Sequence, residues 1–194
     1  MEIKRVWAMP NKWTFKIKPI KQLLDRYIKN PEGWVDPFAG MYSPAEYTND
    51  LNPECNAKHH YDAEFYVKMF HPEEFVFDGC ILDPPYSYEQ ISRSYKNVGR
   101  KARAIDTSGN FYARIKDRIN QNLDAGSIVI SFGWNSCGMG KTRGFEIIEI
   151  LLVCHGGDHN DTIVTIERKM NKMLEIERVR EDDEHLEAVM HHNL

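Results

Sequence analysis

No apolar run in this chain of 194 residues approaches the roughly 20 needed to cross a bilayer as a helix, which excludes a membrane-spanning helix. The opening stretch Met1–Trp13 has no apolar core, so a cleaved secretory leader is not expected. The four cysteines, Cys55, Cys80, Cys137 and Cys154, never form a C-x-x-C pair. That spacing excludes a zinc ribbon and a disulfide scaffold, and a reducing cytoplasm is the expected compartment. Cys154, His155, Asp158 and His159 match no standard zinc spacing, so no metal is expected. A phosphate loop is lacking too: Gly140-Lys141-Thr142 is present, but Asn135 stands where the required earlier glycine belongs. There is no internal repeat and no low-complexity linker. Residues 1–170 therefore read as a single domain, and 171–194 as a charged, acidic C-terminal helix or tail.

The net charge of −4 is unevenly placed. From Asn171 onward there are 3 basic and 7 acidic residues, whereas the preceding part is neutral, with 22 of each. Within it, Met1–Asn30 carries 8 basic against 2 acidic residues, and Arg93–Arg118 repeats that ratio of 8 to 2. Two basic segments on a neutral body are compatible with a phosphate-bearing partner, although solvated surface shows the same pattern.

Strand and helix patterns alternate. Lys18–Ile28 sets Ile20, Leu23, Leu24, Tyr27 and Ile28 on one helical face. Gly33-Trp34-Val35 reads as a short buried strand running into Asp36-Pro37-Phe38-Ala39-Gly40, and Glu46–Asp50 as a second. His59–Phe70 has helical character up to Pro72. Phe75–Leu82 is an apolar strand that runs into Asp83-Pro84-Pro85-Tyr86. Phe111–Leu123 is an amphipathic helix, followed by a turn at Asp124-Ala125-Gly126 and the strand Ser127–Phe132. Glu146–His155 and Thr162–Arg168 form a C-terminal antiparallel hairpin. This alternation predicts an α/β fold on a mostly parallel sheet with an antiparallel edge. In such sheets ligands bind beyond the carboxyl ends of the strands, where Asp36, Asp50 and Asp83 all fall.

A given tetrapeptide such as Asp83-Pro84-Pro85-Tyr86 arises by chance in a chain this long about one time in a thousand. As plain structure it is a stiff strand exit. Chemically it offers more. The exocyclic amine of a nucleobase is a poor nucleophile because its lone pair is delocalised into the ring. Two acceptors holding both amine hydrogens free that lone pair, and the Asp83 carboxylate and Pro84 carbonyl suit the task. Two prolines preposition them, and Tyr86 offers a flat face for an extruded base.

At these residues the chain resembles the S-adenosylmethionine-dependent amino-methyltransferases, particularly the adenine-specific DNA methyltransferases, whose catalytic motif is DPPY. Asp83, Pro84, Pro85 and Tyr86 match it fully. The family's donor loop, DPFxG, is matched by Asp36, Pro37, Phe38, Ala39 and Gly40. The resemblance further implies that Asp50 takes the donor ribose and that Asp62, in Asp62-Ala63-Glu64-Phe65, sits beside the donor adenine. It also implies that Phe15, Lys18 and Pro19, followed by Leu23-Leu24, border the methionine end. The implied fold is a Rossmann-like methyltransferase fold, and such small forms suit a phage or other mobile element. Only about ten residues separate Gly40 from Asp50, fewer than a helical crossover needs, so an irregular connection is expected there.

The family commonly carries a target-recognition region, for which the substitute here is Ser87–Asn110, with Arg93, Lys96, Arg100, Lys101 and Arg103. This segment is expected to be a loop that orders on a nucleic-acid backbone. Trp134 and Asn135 follow a strand in a glycine-rich segment that reads either as a loop placing one of them near the base or as a plain turn, while Trp7 and Trp13 are candidates for base stacking, for covering the donor pocket or for packing on the core. The implied function is methyl transfer from S-adenosylmethionine to the exocyclic amine of adenine in DNA, with a homodimer or a partner subunit supplying specificity. The alternatives are an RNA amino-methyltransferase and a non-catalytic subunit that binds the donor or nucleic acid.

Overall fold

A computed structural model describes residues 1–102, 109–157 and 159–171. Arg103, Asp158 and most of the expected acidic tail lie outside the described residues. The architecture is α/β. Its seven strands are β1 (Glu2–Trp7), β2 (Trp34–Asp36), β3 (Tyr47–Thr48), β4 (Phe77–Leu82), β5 (Leu123–Gly133), β6 (Phe145–Cys154) and β7 (Thr162–Lys169). They form one sheet in the order β1-β6-β7-β5-β4-β2-β3. Every pairing is parallel except the two made by β7, with β5 and β6.

The expected antiparallel edge is corrected by that order. β6 and β7 pair antiparallel, but β7 lies inside the sheet, and β1 covers the outer side of β6. The composition of β7 agrees with an interior position: Val164, Thr165, Ile166 and Glu167 are buried on both faces. The edge strand β1 passes unnoticed in the sequence because Glu2-Ile3-Lys4-Arg5 alternates without an apolar majority.

Helix α1 (Lys18–Tyr27) packs Ile20, Leu23 and Leu24 with Ile81, Ile130 and Val164 on one face of the sheet. Each such buried side chain contributes about 1.5–3 kcal/mol. The last turn of α1 is anchored by Glu149 of β6, which is 2% exposed. Its carboxylate accepts from Arg26 Nη2 at 2.6 Å and Tyr27 OH at 2.7 Å. Burial alone pushes Glu149 up, but these donors and the positive charges outweigh it and hold the carboxyl below its usual range.

On the opposite face, α2 (Ala63–Lys68) and α4 (Gly109–Gln121) bury Val67, Ile115 and Ile119 with Cys80 and Val129. Helix α2 is shorter than the expected His59–Phe70, because a parallel bridge between Asn49 and His59 keeps the chain extended until Asp62 caps the helix. The expected turn at Asp124–Gly126 is absorbed into β5, where Gly126 takes φ +94° beside a register shift in the β4–β5 pairing. The segment after β4 is a formed helix, α3 (Tyr88–Asn97), rather than the expected loop. Its start is a Ser-x-x-Gln cap: Ser87 Oγ accepts from Gln90 N at 3.3 Å.

Among the described residues no helix is long and apolar enough to cross a membrane. His155 is used within the fold, with Nδ1 2.9 Å from the Ala8 carbonyl and Nε2 3.0 Å from Thr162 Oγ1.

Candidate active site

β2, β3 and β4 are parallel neighbours, so the residues that follow them emerge at one edge of the sheet. Asp36, Asp50 and Asp83 are therefore brought together by topology. A cavity of about 380 Å³ opens there, lined among others by Phe38, Asp50, Asp62, Asp83, Pro84 and Tyr86. A smaller one of about 160 Å³ is bounded by Trp13, Phe15, Phe38, Ala39, Gly40 and Asp83. Asp83 and Phe38 thus belong to both.

The connection from β2 to β3 has no helix, as its ten-residue length demands, and hydrogen bonds hold it. Asn49, fully buried, donates from Nδ2 to the carbonyls of Pro37 at 3.1 Å and Tyr61 at 3.0 Å. Its backbone carbonyl receives Ala39 N at 2.8 Å. Asp50 closes the loop, accepting Gly40 N on Oδ2 at 2.9 Å and Asn52 N on Oδ1 at 2.8 Å. Gly40 has φ +55°, a left-handed conformation that glycine adopts without strain.

Asp36 lines neither of these two cavities. It is fully buried, with Oδ1 accepting from Phe38 N at 3.0 Å and Oδ2 from Ser43 Oγ at 2.7 Å. Burial pushes its carboxyl up to about 8 against those two bonds, with the negative charges of Asp83 and Asp50 adding to the rise.

Asp83 differs in lining both cavities and in accepting from side-chain hydroxyls alone. Burial pushes it up to about 6, against hydrogen bonds from the hydroxyls of Tyr86 and Thr14 that favour the charged form. Tyr86 is in turn raised, chiefly by its own burial and then by the Asp83 charge. The turn is braced from two helices. Gln90 Oε1 of α3 accepts Tyr86 N at 2.6 Å, and Tyr112 OH of α4 donates to the Pro85 carbonyl at 2.9 Å. Among the described residues no donor reaches the Pro84 carbonyl, which leaves it available to an incoming group.

Asp62 caps α2 through Glu64 N at 3.0 Å, and its second oxygen accepts from Tyr95 OH of α3 at 2.6 Å. Arg93 lines the larger cavity, whereas Lys96, Arg100 and Lys101 are exposed away from it. Lys18 and Pro19 line neither cavity, and Lys18 is exposed at the start of α1. Thr14 lines both cavities and bonds Asp83. Sequence patterning alone assigns no site role to Thr14, Asn49, Gln90, Tyr95 or Tyr112. Only Gln90 carried a readable signal, as the fourth residue of the cap beginning at Ser87.

The aromatic residues divide. Trp134 meets Tyr86 edge-on, with ring centroids 5.7 Å apart. Trp13 meets Tyr42 at the same centroid distance of 5.7 Å and walls the smaller cavity. Trp7 lies away from both cavities, 66% exposed.

No protein-family model and no curated protein matches the chain. Among solved structures it is similar to TrmN from Thermus thermophilus, with TM-score 0.51 and 16% identity over 79% of this chain and 49% of that one. The chain thus spans about half the length of the TrmN structure. A provisionally assigned methylase from Haemophilus influenzae gives TM-score 0.46 and 12% identity over 79% of this chain and 88% of that one. A provisionally assigned methyltransferase complexed with SAH gives 0.41 and 12%, over 63% and 39%. The likeness to TrmN establishes the fold, a mostly parallel α/β sheet whose carboxyl edge holds Asp50, Asp62 and the Asp83–Tyr86 turn.

Proposed function

We propose that the chain is an S-adenosylmethionine-dependent methyltransferase acting on the exocyclic amine of adenine in DNA. The observation that carries the reading is the pair of acceptors at the end of β4: a partly buried Asp83 carboxylate facing two cavities, beside a Pro84 carbonyl with no donor among the described residues.

The larger cavity fits the donor chemically. Each Asp50 oxygen takes one backbone N–H, which leaves lone pairs for the hydroxyls of a ribose. Asp62 offers a second carboxylate to the cavity, and Tyr61, Phe111 and Tyr112 supply flat apolar walls. Phe15, Ala39 and Gly40 wall the smaller cavity, which shares Thr14, Phe38 and Asp83 with the larger one. S-adenosylmethionine, when bound, supplies an electrophilic methyl group.

The residues of this chain prepare the nucleophile. An adenine amine donating one N–H to Asp83 and the other to the Pro84 carbonyl has its lone pair released from the ring. The Tyr86 hydroxyl, which bonds Asp83 in the structure, yields that oxygen to the amine, and the Tyr86 ring is left to stack on the base. The nitrogen sheds a proton as its new bond forms. Asp83, lifted to about 6 by burial, is the nearest base to accept it.

The test is transfer of radiolabelled methyl from S-adenosylmethionine to unmethylated duplex DNA, single-stranded DNA and structured RNA. Label in DNA adenine is expected, falling about 10²–10³-fold in Asp83→Ala, the scale set by losing one preorganised polar group. Calorimetric binding of S-adenosylhomocysteine is expected to survive the change. Label in RNA alone would transfer the reading to an RNA acceptor. Donor binding without label in any nucleic acid would end the catalytic reading.

A further inference from the structure

β1, β6, β5 and β4 all run in one direction, so Trp7, Cys154, Gly133 and Leu82 mark their ends on a single edge of the sheet. The donor loops occupy the half of that edge above β2 and β3. The other half, from the catalytic turn outward, carries exposed aromatic groups: Tyr88 at 63%, Trp134 at 44% and Trp7 at 66%. Trp134 is joined to the turn through its contact with Tyr86.

Trp7 sits on a prepared seat. A Cβ built on Gly156, in the β6–β7 connection, would come within 2.2 Å of the Trp7 ring, and Gly156 has φ +68°. Steric room and backbone conformation thus both demand glycine where the indole rests. Arg5 shares the Trp7 face of β1 by the two-residue period of a strand. Its Nε lies 3.2 Å from Cys154 Sγ, while its outer guanidinium nitrogens meet no partner among the described residues. The segment Met1–Asn30 carries 8 positive and 2 negative side chains, of which Lys4, Lys21 and Arg26 are engaged in ion pairs with Glu2, Asp25 and Glu149. Solvent-exposed indoles at two strand ends on the sheet edge that holds the acceptor site, one of them beside the outer guanidinium nitrogens of Arg5, match the requirements of a nucleic-acid strand: flat faces for bases and a cation for phosphates.

We infer that Trp134 and Trp7 form a stacking track that carries a single strand of nucleic acid away from Tyr86, with Arg5 answering its backbone. Three strand spacings separate the ends of β5 and β1, about 14 Å, a distance that a strand of a few nucleotides bridges. This places the strand on the N-terminal basic segment instead of on Lys96, Arg100 and Lys101. It builds on the acceptor reading of the Asp83–Tyr86 turn.

The experiment is fluorescence anisotropy with a labelled 12-nucleotide adenine-containing single strand, as DNA and as RNA, and with the matching DNA duplex. Wild type, Trp7→Ala, Trp134→Ala and Arg5→Gln are compared, with S-adenosylhomocysteine calorimetry and size-exclusion light scattering on each. The tryptophan variants are expected to weaken single-strand binding about tenfold each, the loss of one stacked base, with Trp7→Phe restoring most of it. Arg5→Gln is expected to weaken binding and flatten its salt dependence. Which of the DNA and RNA strands binds more tightly identifies the source. Unchanged single-strand affinity in both tryptophan variants overturns the track, as does wild-type binding to duplex alone. A dimer that Trp7→Ala dissociates with unchanged strand affinity also overturns it and makes the face a contact between copies. Loss of strand affinity in a protein that binds no S-adenosylhomocysteine upholds the track and sinks the donor reading instead.

Discussion

Asp36 and Asp83 are the same device in sequence, an aspartate at or just beyond the end of a parallel strand with proline next, on the adjacent strands β2 and β4. The structure separates them. Asp36 faces inward, sealed, with both oxygens occupied by donors of its own loop, Phe38 N and Ser43 Oγ. Asp83 faces outward to two cavities, and both of its donors are side-chain hydroxyls, with no backbone N–H fixed on it as Phe38 N is on Asp36. What decides the role is the chain that follows. Phe38-Ala39-Gly40 folds back over Asp36 and is tied to Asp50, whereas the two prolines after Asp83 supply no N–H with which to fold back. A motif-level likeness between the two thus conceals a division of labour: one carboxyl builds the loop, the other is left for the substrate.

That contrast can be broken most strongly by exchanging the two roles in mutants. Asp36→Ala strands Phe38 N and Ser43 Oγ in a buried site and should cost about 1–3 kcal/mol in urea unfolding. Asp83→Ala, which removes a carboxyl at a cavity wall, should cost clearly less while lowering transfer about 10²–10³-fold. Equal destabilisation by both would erase the distinction.

A second prediction concerns acidity at the catalytic turn. Transfer needs the Asp83 carboxylate, so activity should fall as pH drops through about 6. The Tyr86 hydroxyl favours the charged form, so Tyr86→Phe should raise the Asp83 value and move the acid limb of the rate profile to higher pH. An acid limb unmoved in Tyr86→Phe would show that the hydroxyl does not govern Asp83.

A third prediction concerns stability as a function of pH. The folded-state value of Asp36 lies above its unfolded one, so the folded protein holds the proton more tightly. The contribution is fully present below the unfolded value near 4 and is lost as pH rises toward about 8. Asp36→Asn, which keeps shape and neutrality, should flatten the decline in melting temperature between pH 4 and 8 that Asp36 imposes. A wild-type slope retained in that variant would assign the proton elsewhere.

Much of this was legible in the sequence, and the reasons differ by element. The strand ending at Leu82 and the turn after it could be read because an apolar run and two prolines leave one interpretation. The helix at Lys18 could be read because its apolar face is regular. The β2–β3 connection could not, because its order comes from the side chain of Asn49 reaching Pro37 and Tyr61, a tertiary arrangement without periodicity. Helix α3 is hard to read because Ile91 is its one buried residue, so no apolar stripe marks it, and only the Ser87 cap signals its start. Within the candidate site, Asp50, Asp62 and Asp83 converge on the larger cavity as expected. Lys18 and Pro19 do not, because α1 turns Ile20, Leu23 and Leu24 toward the sheet and leaves Lys18 in solvent.

The pairing of β1 with β6 sets an order of events during synthesis. Glu2 lies opposite Glu149 and Trp7 opposite Cys154, so β1 leaves the ribosome more than a hundred residues ahead of the strand it pairs with. Contacts of such long sequence separation form late and slowly. Until then β1 is an unpaired strand beside a growing sheet, and the lysine and arginine at its centre guard that edge against the wrong neighbour.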